Sequence, residues 1–386
     1  METAWICGAT RTPFTRAGKG ALAMARPDDL LAGLFQRLLA DLPERARERV
    51  DDVIVGCAYP EAEQGRNVAR AIALGAGLPD HVPAMTLTRL CASSLEATAI
   101  ACAKVRLGEA SLVLVGGVES MSRIPMGGVK PSPNPVWMEH RPDIYIAMGA
   151  TAERVAQRYG ISHQEQDAWA LRSHRRAELA RSSGIFAEEI TSVVVPGEGQ
   201  SVEVRADDSI RPDTTLERLA ALAPAFAEGG TVTAGNACPT SDGASALVVA
   251  STSTVTELGL QPLGRFVSYA VAGVDPALMG IGPVAAVPIA LARAGLALER
   301  MDRVELNEAF ASQVLAVTRE LRLPEDRLNV NGGALALGHP LGASGARLVG
   351  TLLRELARTQ GRYGLATLCV GGGMGAAMVL ERTERT

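Results

Sequence analysis

Two stretches of the chain, offset by about 250 residues, run through the same order of elements, and a repeat of that period narrows the available folds more than any other feature. In the first, Leu30, Leu31, Leu34, Phe35 and Leu38 share one face of a helix expected over 29–39. A charged linker containing Glu44 and Arg49 follows, then a strand at Val53-Ile54-Val55 and a helix from about Asn67 that closes at Leu78-Pro79. In the second, a helix over 287–294 leads to a linker at Glu299-Arg300, a strand at Val304-Glu305-Leu306 and a helix closing at Leu323-Pro324. The correspondence continues. Cys91 opens a helix ending near Gly108, followed by a strand over 112–115 and Gly116-Gly117. Gly342-Ala343-Ser344 opens a helix ending near Gly361, followed by a strand over 365–370 and Gly371-Gly372. Alternating strands and helices imply an α/β fold with a largely buried sheet. Ligand chemistry in such sheets gathers at strand ends and helix N-termini, so the Cys91 turn and the Gly338-His339-Pro340 turn fall at equivalent points of two halves.

The composition changes between the repeats. The stretch 125–142 is rich in proline and glycine, 151–184 is polar and helical, and 198–213 is charged and loop-like. The expected organisation is an N-terminal core half over 1–118, completed by about 240–261, an inserted loop domain over 119–239 that covers the site, and a C-terminal core half over 262–386. With 386 residues, 47% hydrophobic and 21% charged, the chain is long enough for two or three core-bearing units. A net charge of −4 argues against a nucleic-acid binder. Six cysteines (Cys7, Cys57, Cys91, Cys102, Cys238 and Cys369) show no metal-ligand spacing and call for no disulfide framework, so no metal is expected and a reducing cytoplasm fits. Trp5-Ile6-Cys7-Gly8 does not read as a signal peptide. A long uncharged run, 364–380, is broken by four glycines and reads as strand, turn and strand rather than a membrane span.

Cys91 lies in Thr88-Arg89-Leu90-Cys91-Ala92-Ser93-Ser94-Leu95, where Leu95, Ala99, Cys102 and Val105 recur at near-helical spacing. Backbone N–H groups at that helix start are expected to favour its thiolate. A cysteine on an apolar helix is by itself more often a small core residue. Three further clusters argue for more: Asn307-Glu308-Ala309-Phe310-Ala311, Gly338-His339-Pro340-Leu341-Gly342-Ala343-Ser344-Gly345, and Cys369-Val370-Gly371-Gly372-Gly373-Met374-Gly375. Gly371, Gly373 and Ala376 also satisfy a loose dinucleotide pattern, but a strand follows instead of a helix, and the histidine turn lacks the lysine of a phosphate-binding loop.

Taken together and in this order, the four motifs resemble those of the thiolases, over essentially the whole chain from Arg11-Thr12-Pro13 to the last strand. The resemblance implies duplicated α/β halves in a layered α-β-α-β-α core with an inserted loop domain. It implies that Cys91 is the nucleophile that carries the acyl group as a thioester, and that His339 takes its proton and donates to a substrate thioester oxygen. Asn307 matches the asparagine that holds a water as second donor there; its place also suits a helix cap, and both roles can hold together. Glu308 reads as structural support. Cys369 matches the second cysteine, an acid/base for the acetyl-CoA enolate, and the Gly371 N–H with that of Cys91 matches an oxyanion hole for the acyl step. Coenzyme A is implied as co-substrate, with no tightly bound cofactor, along Met148, Arg211, Phe226, Ala234, Cys238 and Phe310.

The chain departs from the family pattern in places. Cys238 stands where a serine usually contacts the pantetheine, Ser241 replaces a frequent asparagine, and Arg218 falls where some members carry serine. Thr88 replaces the usual asparagine of the nucleophile motif and Ala92 a frequent glycine. Ala147 occupies a place where acetoacetyl-forming members often carry histidine, and 126–148 is short, which favours a degradative 3-ketoacyl-CoA thiolase of fatty-acid oxidation. Trp137, Met138, Tyr145 and Met148 are candidate acyl-pocket residues. The alternatives are an acetyl-CoA acetyltransferase forming acetoacetyl-CoA and a non-catalytic acyl-CoA-binding protein. A ketosynthase is disfavoured because such condensing enzymes lack a base cysteine at the position of Cys369. The resemblance further implies a homodimer or homotetramer and leaves open a hydratase/dehydrogenase partner.

Overall fold

The computed structural model describes residues 2–196 and 200–383. The chain begins with β1 (Ala4–Arg11), β2 (Thr15–Arg16), α1 (Pro27–Ala40), β3 (Asp52–Gly56), α2 (Val68–Gly75), β4 (Ala84–Leu87), α3 (Ser93–Leu107) and β5 (Leu112–Ser120). Next come α4 (Pro135–His140), α5 (Met148–Arg158), α6 (His163–Ser182), the antiparallel pair β6 (Val193–Pro196) and β7 (Ser201–Val204), and α7 (Leu216–Ala220). After these lie β8 (Ser241–Ser251), α8 (Thr252–Leu258), β9 (Gly264–Gly273), α9 (Gly282–Ala294), β10 (Arg303–Leu306), α10 (Ala311–Leu321), α11 (Ala334–Leu337), α12 (Leu341–Thr359), β11 (Tyr363–Val370) and β12 (Met374–Arg382).

The strands form one long sheet in the order β10-β11-β12-β9-β1-β8-β5-β3-β4. Each end repeats the other's pairing. β3 runs parallel to β5 as β10 does to β11, β5 is antiparallel to β8 as β11 is to β12, and β8 is antiparallel to β1 as β12 is to β9. A bridge between Val304 and Leu328 stands where β4 stands beside β3. The two ends join through only two residue pairs, Trp5 with Arg265 and Ile6 with Gly264.

Three apolar clusters explain the layers. Leu31, Leu34 and Phe35 of α1 pack with Val53, Val55, Leu112 and Leu114 on one face of the first half-sheet. Val287 of α9 and Val314 of α10 cover the second with Leu306 and Val379. Between them, Leu95 and Val105 of α3 and Leu348, Leu352 and Leu356 of α12 share a cluster with Ile54 and Val113 from one half-sheet and Leu368 and Met378 from the other. Two helices enclosed by both half-sheets give the α-β-α-β-α order. Burying a leucine-sized side chain stabilises by roughly 1.5–3 kcal/mol, which is why this doubly covered middle layer is almost purely aliphatic.

The structure corrects several expectations. The strand expected to stop at Val115 continues through Gly116 and Gly117 to Ser120. Both glycines sit inside it because helices crowd them: a Cβ on Gly116 would lie 2.6 Å from Leu31 Cδ2, and one on Gly117 2.3 Å from the Gly342 carbonyl oxygen. The charged stretch 198–213 is not all loop, since β7 occupies part of it; residues 197–199 lie outside the described residues. The helix expected over 287–294 starts earlier, at Gly282, and carries Pro288 within it. Among the described residues one helical stretch, Pro276–Ala294, is long and apolar enough to cross a membrane, with mean hydropathy 1.6; half of it is buried in the core against β9 and β12.

Arg11 ties β1 to the stretch between β5 and β8. Its guanidinium pairs with Asp207 at 2.6 Å and Glu189 at 2.9 Å, all three buried, and Thr351 of α12 donates to the same Glu189 at 2.8 Å. Charges taken this far from water persist only when fully paired.

Candidate active site

Cys91 sits in a tight turn, Leu90–Ala92, between β4 and the start of α3. Leu90 holds φ at 44°, a left-handed conformation rarely adopted by a bulky aliphatic residue, so the turn is strained. Ser93 braces it: its hydroxyl donates to the Leu90 carbonyl at 2.6 Å and accepts from the Arg89 N–H at 2.9 Å. The N-termini of α3 and α12 meet directly beneath. A Cβ on Gly345 would lie 2.3 Å from Leu95 N, one on Gly56 2.3 Å from the Ser93 carbonyl carbon, and Ala346 N donates to Ser94 Oγ at 2.9 Å. This close crossing brings the cysteine turn and the histidine turn together. Leu341, two residues after His339, packs in one apolar cluster with Cys91, Leu90, Met121 and Ala58.

The thiol is not the low-pKa group expected from the helix start. Cys91 keeps partial exposure, yet burial around its sulfur pushes the thiol up to about 11. The Gly371 N–H, hydrogen-bonded to that sulfur, pulls the other way, and the Glu119 charge adds to the rise. Loss of solvent thus outweighs the backbone dipoles. Glu119, not foreseen from the sequence, closes β5. Its carboxylate accepts from Ala58 N at 2.8 Å, Gly342 N at 2.9 Å, Gln64 Nε2 at 2.8 Å and Tyr59 N at 3.3 Å. It holds together the turn after β3, the end of β5 and the start of α12. Burial raises its pKa against those hydrogen bonds. Its only signal in the sequence is an acidic residue closing a strand that is otherwise buried.

His339 lies between α11 and α12, 3% exposed. Gly338 takes φ 98°, and a Cβ there would meet Ser241 Oγ at 2.4 Å, so only glycine lets the serine reach the histidine backbone. His339 N donates to Ser241 Oγ at 3.1 Å, and Nδ1 lies 2.6 Å from Ser344 Oγ. Among the described residues Nε2 is buried with no partner. Burial, reinforced by the Arg347 charge, pushes the imidazolium pKa down to about 3, so the ring is neutral. Asn307 follows β10 and is fully buried, with both amide atoms, Oδ1 and Nδ2, unpartnered. It caps no helix: the N-cap of α10 is Phe310. Buried polar groups without partners are rare, and three such atoms on two residues of the motif set point to a ligand. Glu308, in contrast, accepts from Trp169 Nε1, Ser173 Oγ, Asn329 Nδ2 and Leu335 N at 2.6–3.3 Å and ties α6 to the second half.

Cys369 ends β11, fully buried, packed with Phe310, Ala309 and Met148. Its thiol stands well above the ordinary value, first through burial and then through the charges of Cys91 and Cys238. Cys238 is likewise pushed up to about 12 by burial and by Cys91. The structure therefore gathers three thiols, Cys91, Cys238 and Cys369, within electrostatic reach of one another.

The residues matched to coenzyme A divide into two sets. Arg211 and Ala234 line a cavity of about 310 Å³ together with Arg16, His174, Arg218 and Leu335; Ala237 and Pro239, which flank Cys238, lie at its wall. His174 Nδ1 accepts from Arg211 N at 3.2 Å, and burial lowers its pKa to about 4, so it is a neutral acceptor. Arg218 is committed to Asp213. Met148, Phe226 and Phe310 lie outside that cavity's lining. Phe226 meets Phe310 edge to face with centroids 5.9 Å apart and packs on Gly149, while Met148 and Phe310 cluster with Cys369. Trp137, Met138 and Tyr145 are exposed on and after α4, which buries none of its residues, so they do not line a closed acyl pocket in this chain.

Comparison with known proteins agrees with this geometry. Residues 4–253 match the thiolase N-terminal domain and residues 260–382 the thiolase C-terminal domain. The chain is 48% identical to the 3-ketoacyl-CoA thiolase of Bacillus subtilis over 99% of its length and 100% of that protein. It is 47% identical to the 3-oxoadipyl-CoA/3-oxo-5,6-dehydrosuberyl-CoA thiolase of Escherichia coli, with the same coverage. Among solved structures, the Bacillus anthracis acetyl-CoA acetyltransferase and the human mitochondrial 3-ketoacyl-CoA thiolase each superpose with a TM-score of 0.91, at 40% and 39% identity, covering 99% of both chains in each case. The chain belongs to the thiolase family and is an acyltransferase.

Proposed function

We propose that the chain is a degradative thiolase of the fatty-acid oxidation type, cleaving 3-ketoacyl-CoA with coenzyme A to acetyl-CoA and a shortened acyl-CoA through an acyl-Cys91 intermediate. The observation that carries the reading is the set of buried, unpartnered atoms (His339 Nε2, Asn307 Oδ1 and Nδ2) on residues flanking the Cys91 and Cys369 clusters. In this mechanism the neutral His339 takes the Cys91 proton as sulfur attacks C3 of the substrate. The C2–C3 bond breaks, and the acetyl-CoA enolate oxygen is met by His339, now carrying that proton, and by a water held on Asn307. Such preorganised donors are each worth on the order of 10²–10³ in rate. Cys369 protonates the enolate carbon. The N–H groups of Cys91 and Gly371 hold the acyl oxygen while the coenzyme A sulfur, its proton passing to the Cys369 thiolate, displaces Cys91, whose sulfur takes its proton back from His339. Its phosphates fit the arginine-bearing cavity whose wall leads to Cys238.

By their names, the relatives act on chemically different 3-ketoacyl-CoA thioesters, and the choice among them rests on the surroundings of Cys91. Cys91 belongs to an apolar cluster with Ala17, Ala58, Tyr59, Leu90, Met121 and Leu341, which favours a hydrocarbon acyl chain over a terminal carboxylate. The domain division into two core halves and a covering insertion, and a cytoplasmic homo-oligomer, belong to the same reading. The short edge strand β4, with Met85 exposed, is suited to pairing with a second copy.

Initial-rate thiolysis of acetoacetyl-CoA, 3-ketoadipyl-CoA and a six- to sixteen-carbon straight-chain series tests the proposal. Rates that hold or rise with chain length support it. Activity confined to acetoacetyl-CoA would establish the acetyltransferase reading instead, and preference for 3-ketoadipyl-CoA over its six-carbon uncharged counterpart would overturn the fatty-acyl assignment.

A further inference from the structure

The reaction proposed above needs His339 in one of its two neutral tautomers, with the lone pair on Nε2. We propose that Ser344 is the positioning residue that holds His339 in this form. It rests on the reading of His339 as the base for Cys91. Nδ1 of the ring lies 2.6 Å from Ser344 Oγ, and Oγ lies 3.0 Å from the Pro340 carbonyl oxygen. A carbonyl oxygen only accepts, and a serine hydroxyl has a single proton. Placing that proton toward Pro340 leaves Oγ free to accept from Nδ1–H, and every hydrogen of the trio then has an acceptor. The reverse arrangement, with the hydroxyl donating to Nδ1, leaves two oxygens 3.0 Å apart with no proton between them and puts a buried Nε2–H where no acceptor lies. A buried donor without an acceptor is the more expensive outcome.

A second serine fixes the backbone beneath the ring. Ser241 Oγ donates to the Pro239 carbonyl at 2.8 Å, so it meets His339 N, 3.1 Å away, as an acceptor. His339 is thus held at its main chain from β8 and at Nδ1 from α12, leaving Nε2 as the only ring nitrogen without a hydrogen bond. Both serines are themselves buried, at 0% and 1% exposure, so water does not substitute for either hydroxyl.

The test compares wild type with Ser344→Ala and Ser344→Thr. Loss of the acceptor is expected to lower kcat roughly 10- to 100-fold while KM stays within about twofold, because the hydrogen bond orients a base and does not touch substrate. Nitrogen-15 spectra of histidine-labelled protein, with the His339 signals assigned from a His339→Asn variant, are expected to show Nδ1 protonated and Nε2 bare in wild type. Ser344→Ala is expected to move toward the other tautomer, and Ser344→Thr, which retains a hydroxyl, to restore the wild-type pattern and most of kcat. A merely structural serine would lower the unfolding midpoint without altering the nitrogen signals. Wild-type signals and kcat in Ser344→Ala would overturn the proposal, as would an Nε2-protonated ring in the unmodified enzyme. If His339→Asn itself retains full thiolysis, the catalytic reading of the histidine fails first; if it abolishes thiolysis while Ser344→Ala changes nothing, only the role of Ser344 falls.

Discussion

Gly345→Ala adds one methyl group where α12 crosses α3, four residues from Cys91 along the neighbouring helix. The added carbon would stand 2.3 Å from Leu95 N, 2.7 Å from Leu95 Cβ and 2.9 Å from Leu95 Cα. Two of these are main-chain atoms of a buried helix, so no side chain can rotate away. Restoring ordinary contact requires roughly 1 Å of movement between two helices packed at crystal-like density. Overpacking of this kind costs about 1–3 kcal/mol or somewhat more, against about 1 kcal/mol regained because alanine is the better helix former. Because the clash is with main-chain atoms, the nearest at 2.3 Å, it falls at the upper end of that range, and the expected net loss is about 2 kcal/mol. Gly33→Ala is the matched control: the same change inside α1, where nothing lies within 4 Å of the new carbon, is expected to stabilise by about 0.5–1 kcal/mol. The helix shift also moves the cysteine turn relative to His339, and misplacement by about 1 Å is enough to lower kcat on the order of 10²-fold. Denaturant midpoints of both variants, with kcat for thiolysis, read the two effects. If Gly345→Ala unfolds at the wild-type midpoint and turns over at the wild-type rate, the close crossing of α3 and α12 does not set the site geometry and the reasoning fails.

Two shorter predictions concern the thiols. Burial raises the Cys91 pKa to about 11, so the group is protonated below that value and ionises as pH rises through it; His339, lowered to about 3, stays neutral throughout. Alkylation of Cys91 by iodoacetamide in the resting enzyme should therefore accelerate about tenfold per pH unit across pH 7–10. A rate flat over that range would mean a preformed thiolate–imidazolium pair and refute the neutral resting state. Cys369→Ala should still take an acyl group from acyl-CoA onto Cys91, detectable by mass, yet lose roughly 10²–10⁴-fold in cleavage of 3-ketoacyl-CoA; wild-type cleavage would remove Cys369 from the acid/base role.

The alternation of strands and helices was readable wherever hydrophobic period carried the information, whereas the layering came only with the family resemblance. The one-sided leucines of α1 and the paired strand–helix runs both reported burial that depends on local spacing. What escaped the sequence depends on who lies across the contact. Gly116 and Gly117 look like a strand end until Leu31 and Gly342 are seen to press on them. β8 was implied only as a completing segment, because a fully buried eleven-residue run of small residues has no alternation to mark it. In the site, the motif residues could be named from their order, whereas the thiol's pKa could not: it depends on how far desolvation outweighs a nearby N–H. Glu119 owes its importance to Gly342, 223 positions away, and carries no local signature, while Ser241 and Ser344 lie in stretches the sequence marked but draw their roles from the histidine they meet in space.

The place of β8 in the sheet has a consequence for how the chain is made. β8 lies between β1 and β5, pairing Ala4 with Ser251 and Leu112 with Ala250. The N-terminal strand therefore emerges during synthesis long before the neighbour that separates it from β5. Strands β10, β11 and β12, in contrast, find their partners within the last third of the chain, and β11 meets β12 across one tight turn. Contacts this distant close slowly, because the intervening loop must be brought together before pairing rewards it. Contrary to the usual order in which the first-made portion folds first, the half that holds Cys91 completes its sheet only once the stretch between β5 and β8 has already been synthesised.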